Sequence, residues 1–105
     1  MKVLTICQGG QVRSVGLKYL LTYKYNHEAL ACGVQSNTPD TISMLCGWAD
    51  AIVILQKEFI QFVPAEHRNG KLFCYDVGPD RFGYAFHPEL QSMLDNMIQK
   101  HGKFT

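Results

Sequence analysis

The sequence predicts an α/β domain of three layers, α/β/α, in which helices cover both faces of a four-stranded parallel sheet. Three observations carry that expectation. Strand-like apolar runs alternate with segments of helical spacing in the order β-α-β-α-β-α-β-α. Right-handed crossovers between parallel strands then bring helices to both faces. The chain has 105 residues, 47% of them hydrophobic, with no composition break, repeat or low-complexity stretch; that suits one domain, residues 1–105, with a single core.

Taken in order, Val3 to Ile6 reads as a short buried strand. Residues 14 to 24 read as a helix, with Val15, Tyr19, Leu20 and Tyr23 close to helical spacing. Glu28 to Val34 is a second, weaker strand. Thr38-Pro39 opens the next helix, because threonine caps a helix and proline suits its first turn. Ile42, Met44, Leu45 and Cys46 lie along it, and it stops near Gly47. Ala51 to Leu55 (AIVIL) is the clearest buried strand. A short helix with Phe59, Ile60 and Phe62 inside follows, limited by Pro64. Asn69-Gly70 is a turn, and Lys71 to Tyr75 is the fourth strand. A loop rich in glycine and aromatic residues, Asp76 to His87, leads to a helix that starts at Pro88. Leu90, Met93, Leu94, Met97 and Ile98 make its apolar stripe, and Gly102 suits its C-terminal cap.

Charge and cysteine usage narrow the function classes. A formal net charge of +1, with no long run of one sign, argues against nucleic acid or a membrane surface as partner. No segment approaches the ~18 apolar residues of a membrane span, and the N-terminal apolar run is too short for a signal peptide. The cysteines, Cys7, Cys32, Cys46 and Cys74, form no CxxC and no ligand pattern with histidine. The expectation is a cytoplasmic protein with reduced thiols, no metal site and no disulfide framework.

The chemistry gathers in the stretch CQGGQVRS, residues 7 to 14, between the first strand and the first helix. In such folds ligands sit at the carboxyl ends of the strands, which is where Cys7 and Asp76 fall. A strand-to-helix loop can curl its backbone N–H groups inward as an anion nest, and the helix N-terminus adds positive potential. Gly9 and Gly10 permit close approach of a ligand. Arg13 can grip two phosphate oxygens with its planar fork. A field that welcomes an anion also favours a thiolate, and Ser14 can donate to that sulfur. The stretch is neither a Walker A loop nor a dinucleotide GxGxxG.

This C-x5-R-S arrangement resembles the active-site signature of the low-molecular-weight protein tyrosine phosphatases. Ala49-Asp50-Ala51-Ile52-Val53-Ile54 is similar to the family's run into the third strand, and Asp76-Val77-Gly78-Pro79-Asp80 to its acid-bearing loop. His87-Pro88-Glu89-Leu90 is similar to a helix start in a short bacterial branch of predicted phosphatases. The resemblance covers nearly the whole chain. It implies strand order 2-1-3-4 and hydrolysis of a phosphate monoester, phosphotyrosine-like or a small aryl phosphate, through a phosphocysteine. Cys7 would be the nucleophile, Arg13 the phosphate clamp and Asp80 the general acid, with Asp76 as the alternative acid. Gln8, Gly9, Gly10, Gln11, Val12, Arg13 and Ser14 would hold the phosphate. The implied partner is a phosphorylated protein or a small phosphate ester, and no cofactor is implied.

The chain departs from that pattern in ways that matter. The family's usual asparagine, whose hydrogen bonds hold the loop open, is Gly10 here, which predicts a softer loop. Val12 replaces a second cysteine, so no disulfide can form within the loop. The usual helix glutamate is Lys18, and the acid loop reads GPDRFG. Phe82, Tyr84 and Phe86 are either a wall for an aromatic ester or anchors for their loop. Trp48, Met93 and Met97 are expected in the core, Cys32 and Cys74 buried, and Tyr23 and Tyr25 packed at a helix end. Asp50 is expected to be a turn residue, and the four histidines lack metal-ligand spacing. Two other readings stand beside hydrolysis: a phosphocysteine carrier of the phosphotransferase-system type, and a phosphate-binding module without catalysis.

Overall fold

The apolar runs form one parallel sheet. Strands β1 (Lys2–Cys7), β2 (Glu28–Gly33), β3 (Ala51–Ile54) and β4 (Leu72–Cys74) lie in the order β2-β1-β3-β4. The computed structural model describes residues 1–105. Central strand β1 is buried from Val3 through Cys7, with Leu4 between Leu30 and Ile52 and Ile6 between Cys32 and Ile54. The chain leaves β1 for one neighbour and then passes back beyond it to β3. Right-handed crossovers therefore set helices α1 (Arg13–Tyr23) and α2 (Pro39–Trp48) on opposite faces. The reversal beside β1 opens a crevice at the strands' carboxyl ends, where the residues after Cys7 and Ile54 emerge.

Helix α1 buries Gly16, Leu17, Leu20 and Leu21 against the sheet and α3 (Pro88–His101). Of the stripe read from Val15, Tyr19, Leu20 and Tyr23, Leu20 is buried and Val15 half-buried, but Tyr19 is exposed and Tyr23 is 76% exposed. Both stripes have helical period; the leucines win because they are the larger purely apolar set. Tyr25 is half-buried at the helix end, where its hydroxyl and the Lys24 ammonium meet Asp95 of α3. Thr38 caps α2 by accepting from the Thr41 amide at 3.2 Å. That helix stops near Gly47, as expected: it ends at Trp48, where Ala49 turns extended. Trp48 is half-buried and packs against the core, as expected, with the Lys2 ammonium over its ring. Asp50 is structural, as expected: its carboxylate accepts from the Lys2 amide at 2.8 Å.

Two further expectations are corrected. The segment after β3 is not an α-helix but two 3₁₀ stretches, Lys57–Phe62 and Ala65–His67. At three residues per turn Phe59 and Phe62 share a face and Ile60 does not. Phe59 is buried, while Ile60 and Phe62, which ends the stretch, are exposed. Cys74 is exposed on edge strand β4, not buried. The final helix matches its reading: Leu90, Leu94 and Ile98 are buried, Met93 and Met97 flank them half-buried, and Gly102 closes it at φ 78°.

Candidate active site

The loop from Cys7 to Arg13 is pinned at both ends. The buried Thr5 hydroxyl donates to the Ser14 carbonyl at 2.8 Å and so ties the start of α1 back onto β1. Cys7 is buried, with its Sγ 3.0 Å from Ser14 Oγ and 3.2 Å from the Gly10 amide nitrogen. With sulfur as thiolate, both neighbours are donors. The amides of Gln8, Gly9, Gln11, Val12 and Arg13 have no acceptor within the chain, and no side chain caps α1. Unsatisfied amides crowded at a helix start form an anion site.

Arg13 is the largest of the fully buried side chains, at 1% exposure. One terminal nitrogen, Nη1, donates to Gln56 Oε1 at 2.9 Å and to the Gly78 carbonyl at 2.6 Å. The guanidinium lies over the Phe59 ring at 5.6 Å. Its other edge, Nε and Nη2, is buried without any partner. That edge is the one that pairs two parallel N–H bonds with two oxygens. A buried cationic donor left unpaired is costly, so this edge calls for an anion.

Sequence reasoning missed the residues that hold Arg13 and the loop. Gln56 and Phe59 follow β3, and their place at the carboxyl end of a strand beside β1 was the available signal. The loop itself is braced by the connection between β2 and α2. The carbonyls of Cys7, Gln8 and Gly9 accept in turn from Val34 N at 2.9 Å, Gln35 N at 2.9 Å and Ser36 Oγ at 2.7 Å. Asn37 Oδ1 accepts from the Gly33 amide at 2.9 Å and holds the bend. Gly10, at φ 73°, lies directly on Gly33: a Cβ on Gly33 would stand 2.4 Å from Gly10 N. The expected softness of the Gly10 loop is therefore offset by a neighbour that closes in on it.

The loop after β4 separates the two candidate acids. Asp76 is fully engaged as a scaffold: Oδ1 accepts from the Gly78 amide at 2.8 Å and Oδ2 from the Lys57 amide at 3.0 Å. It thereby joins the two loops that supply Gly78 and Gln56 to Arg13. Asp80, two residues beyond Gly78, is exposed and makes no hydrogen bond. Phe82 is buried under the Arg81 guanidinium and beside His87, so it anchors the loop and forms no wall. Tyr84 and Phe86 are exposed, and Phe86 meets Tyr19 edge-on at 4.8 Å.

Neither sizeable surface cavity is at the cradle. One, about 400 Å³, runs along Val15, Lys18, Tyr19 and Phe86; the other, about 340 Å³, lies by Cys74, Tyr75 and His101. Cys32 is buried, and burial, reinforced by the neighbouring Cys46 and Cys7, pushes its thiol up to about 12. Cys32 pairs with Ile6 in the sheet and Cys7 with Gly33, so the two cysteines start on opposite faces. All four cysteines are free thiols.

The chain matches no protein-family model and no curated relative by sequence. Solved structures do match it from end to end. Vibrio vulnificus Wzb in complex with benzylphosphonate superposes with a TM-score of 0.75 at 17% identity, covering 97% of each chain. The YwlE arginine phosphatase with a phosphorylated active-site serine gives 0.68 at 16% identity, over 98% of this chain and 97% of that one. The YwlE arginine phosphatase from Geobacillus stearothermophilus gives 0.65 at 17% identity, over 96% and 92%.

The fold is that of the low-molecular-weight phosphatases. At such identities the likeness is one of architecture, and it agrees with the strand order found here. In this phosphatase fold the sulfur of Cys7 stands at the end of the central strand and Arg13 opens the first helix.

Proposed function

We propose that the chain is a cysteine-dependent phosphatase that hydrolyses a phosphate monoester, phosphotyrosine-like or a small aryl phosphate, through a phosphocysteine at Cys7. The observation that carries this reading is the unpaired, buried Nε and Nη2 edge of Arg13, in the same short loop as a buried cysteine sulfur. Such an edge binds a tetrahedral oxyanion; a sulfur held by Gly10 N and Ser14 Oγ attacks it. The company of the fold supports the class: its members here include proteins named arginine phosphatase and protein tyrosine phosphatase, and one holds benzylphosphonate. No helix is long and apolar enough to cross a membrane. Four free thiols suit the reducing cytoplasm.

The steps balance as follows. The Cys7 thiolate forms the S–P bond as the P–O bond to the leaving group breaks, and Asp80 gives its proton to the departing oxygen. Arg13 and the loop amides hold the three equatorial oxygens. Water then forms a P–O bond as S–P breaks, Asp80 takes the water's proton, and phosphate leaves with the thiolate restored. Asp80 is the acid of choice because Asp76 spends both oxygens on backbone amides while Asp80 is free to reach a leaving group.

The test is p-nitrophenyl phosphate turnover with acid-quenched mass spectrometry of the protein. Turnover with transient phosphate on Cys7 is expected; stoichiometric phosphate on Cys7 without turnover identifies a carrier, and binding without either identifies a receptor. Asp80→Ala is expected to slow phenyl phosphate about 100-fold or more and p-nitrophenyl phosphate far less, because only the poorer leaving group needs the proton. If Asp76→Ala shows that leaving-group dependence instead, the assignment is reversed.

A further inference from the structure

We propose that the β2–α2 connection, through Gly33 and Ser36, is the positioning clamp of the phosphate loop, a role the family resemblance gives to an asparagine that this chain lacks. The proposal rests on the phosphatase reading of the same loop. It begins with peptide geometry. In a trans peptide the C=O of one residue and the N–H of the next point in opposite directions, and the chain has no cis peptides. The connection draws three successive loop carbonyls, those of Cys7, Gln8 and Gly9, outward onto Val34 N, Gln35 N and Ser36 Oγ. The next amide in each case, those of Gln8, Gly9 and Gly10, is thereby turned toward the interior of the loop. The third of these is seen to arrive: Gly10 N donates to Cys7 Sγ at 3.2 Å. The other two have no acceptor in the chain.

The clamp can reach the loop only because two glycines face each other. A Cβ on Gly10 would stand 2.8 Å from Gly33 N, and a Cβ on Gly33 would stand 2.4 Å from Gly9 C and 2.8 Å from Gln8 O. Any side chain at either position pushes the connection off the loop. Gly10 is thus no simple loss. It trades side-chain hydrogen bonds inside the loop for a backbone clamp outside it. Asn37, accepting from Gly33 N, and Thr38, capping α2, fix the clamp from behind.

This makes a prediction opposite to the one that motif repair suggests. Gly10→Asn, which supplies the family's residue, is expected to lower kcat about tenfold or more, since overpacking must move backbone. Ser36→Ala, which leaves Gly9 O unheld, is expected to lower kcat and weaken vanadate inhibition about fivefold, with KM changed less than about twofold. Ser36→Thr keeps the hydroxyl and is expected to restore both. A general loss of folding would instead lower the thermal midpoint of all three variants and spare no parameter. Gly10→Asn with equal or higher kcat overturns the clamp, as does Ser36→Ala with unchanged kcat and vanadate inhibition. Wild-type protein that neither turns over aryl phosphate nor binds vanadate overturns the phosphatase reading and the clamp with it.

Discussion

Cys7→Ser is expected to reduce aryl phosphate turnover by about four orders of magnitude or more. A serine hydroxyl is a weak nucleophile unless a base takes its proton, and in the proposed first step Asp80 is the proton donor. None of the four histidines is placed to take that proton. His27 bonds the N-terminus and the Phe104 carbonyl, His67 lies by Gly47, His87 caps α3, and His101 meets Tyr75. Serine fits the same buried space and retains a partner in Ser14, so the variant should fold and still bind phosphate. Steady-state turnover beside a phosphate thermal-shift measurement checks both halves. Turnover near the wild-type rate removes Cys7 as nucleophile.

Arg13→Met separates function from stability. Methionine is unbranched and apolar, and it suits a buried site against the Phe59 ring. The two charge-assisted bonds that Nε and Nη2 would make to phosphate disappear, which should cost about 10³-fold in kcat/KM. Stability moves differently. The wild type holds a buried cation with two unpaired nitrogens, and its removal relieves that desolvation cost. Against this stands the loss of the Nη1 bonds to Gln56 and Gly78. In anion-free buffer the variant's thermal midpoint should equal or exceed that of the wild type. Added phosphate at 100 times its Kd should stabilise the wild type by about 2.7 kcal/mol and the variant hardly at all. Equal protection of both proteins by phosphate would show that Arg13 is not the clamp.

Which parts were legible in the sequence follows from the range of the forces involved. Strand and helix identities rest on local patterns, and these read through: AIVIL as a buried strand, Thr38-Pro39 as a helix start, Gly102 as a helix end. Cys7, Arg13 and Ser14 were visible because one loop carries all three within eight residues. Misreadings came where two patterns competed locally. Tyr19 and Tyr23 have the same helical period as the leucines, and Phe59, Ile60 and Phe62 cannot all face inward once the turn tightens to 3₁₀. Phe82 and Tyr84 looked alike in the sequence, yet the loop's path buries one and exposes the other.

By itself the sequence determined the alternation of elements, the layered α/β architecture and the thiol, glycines and guanidinium of one short loop, because neighbours along a chain are bound to meet. Only the tertiary structure decided that Gln56, Phe59 and Gly78 hold one edge of Arg13 and leave the other bare. It also showed that Asp76 accepts from the Lys57 and Gly78 amides, that Gly33 packs against Gly10 and that Ser36 donates to the Gly9 carbonyl. Apart from the Asp76–Gly78 contact, those partners are 19 or more residues away from the groups they hold, and their meeting depends on strand order and crossover hand, which no local spacing records.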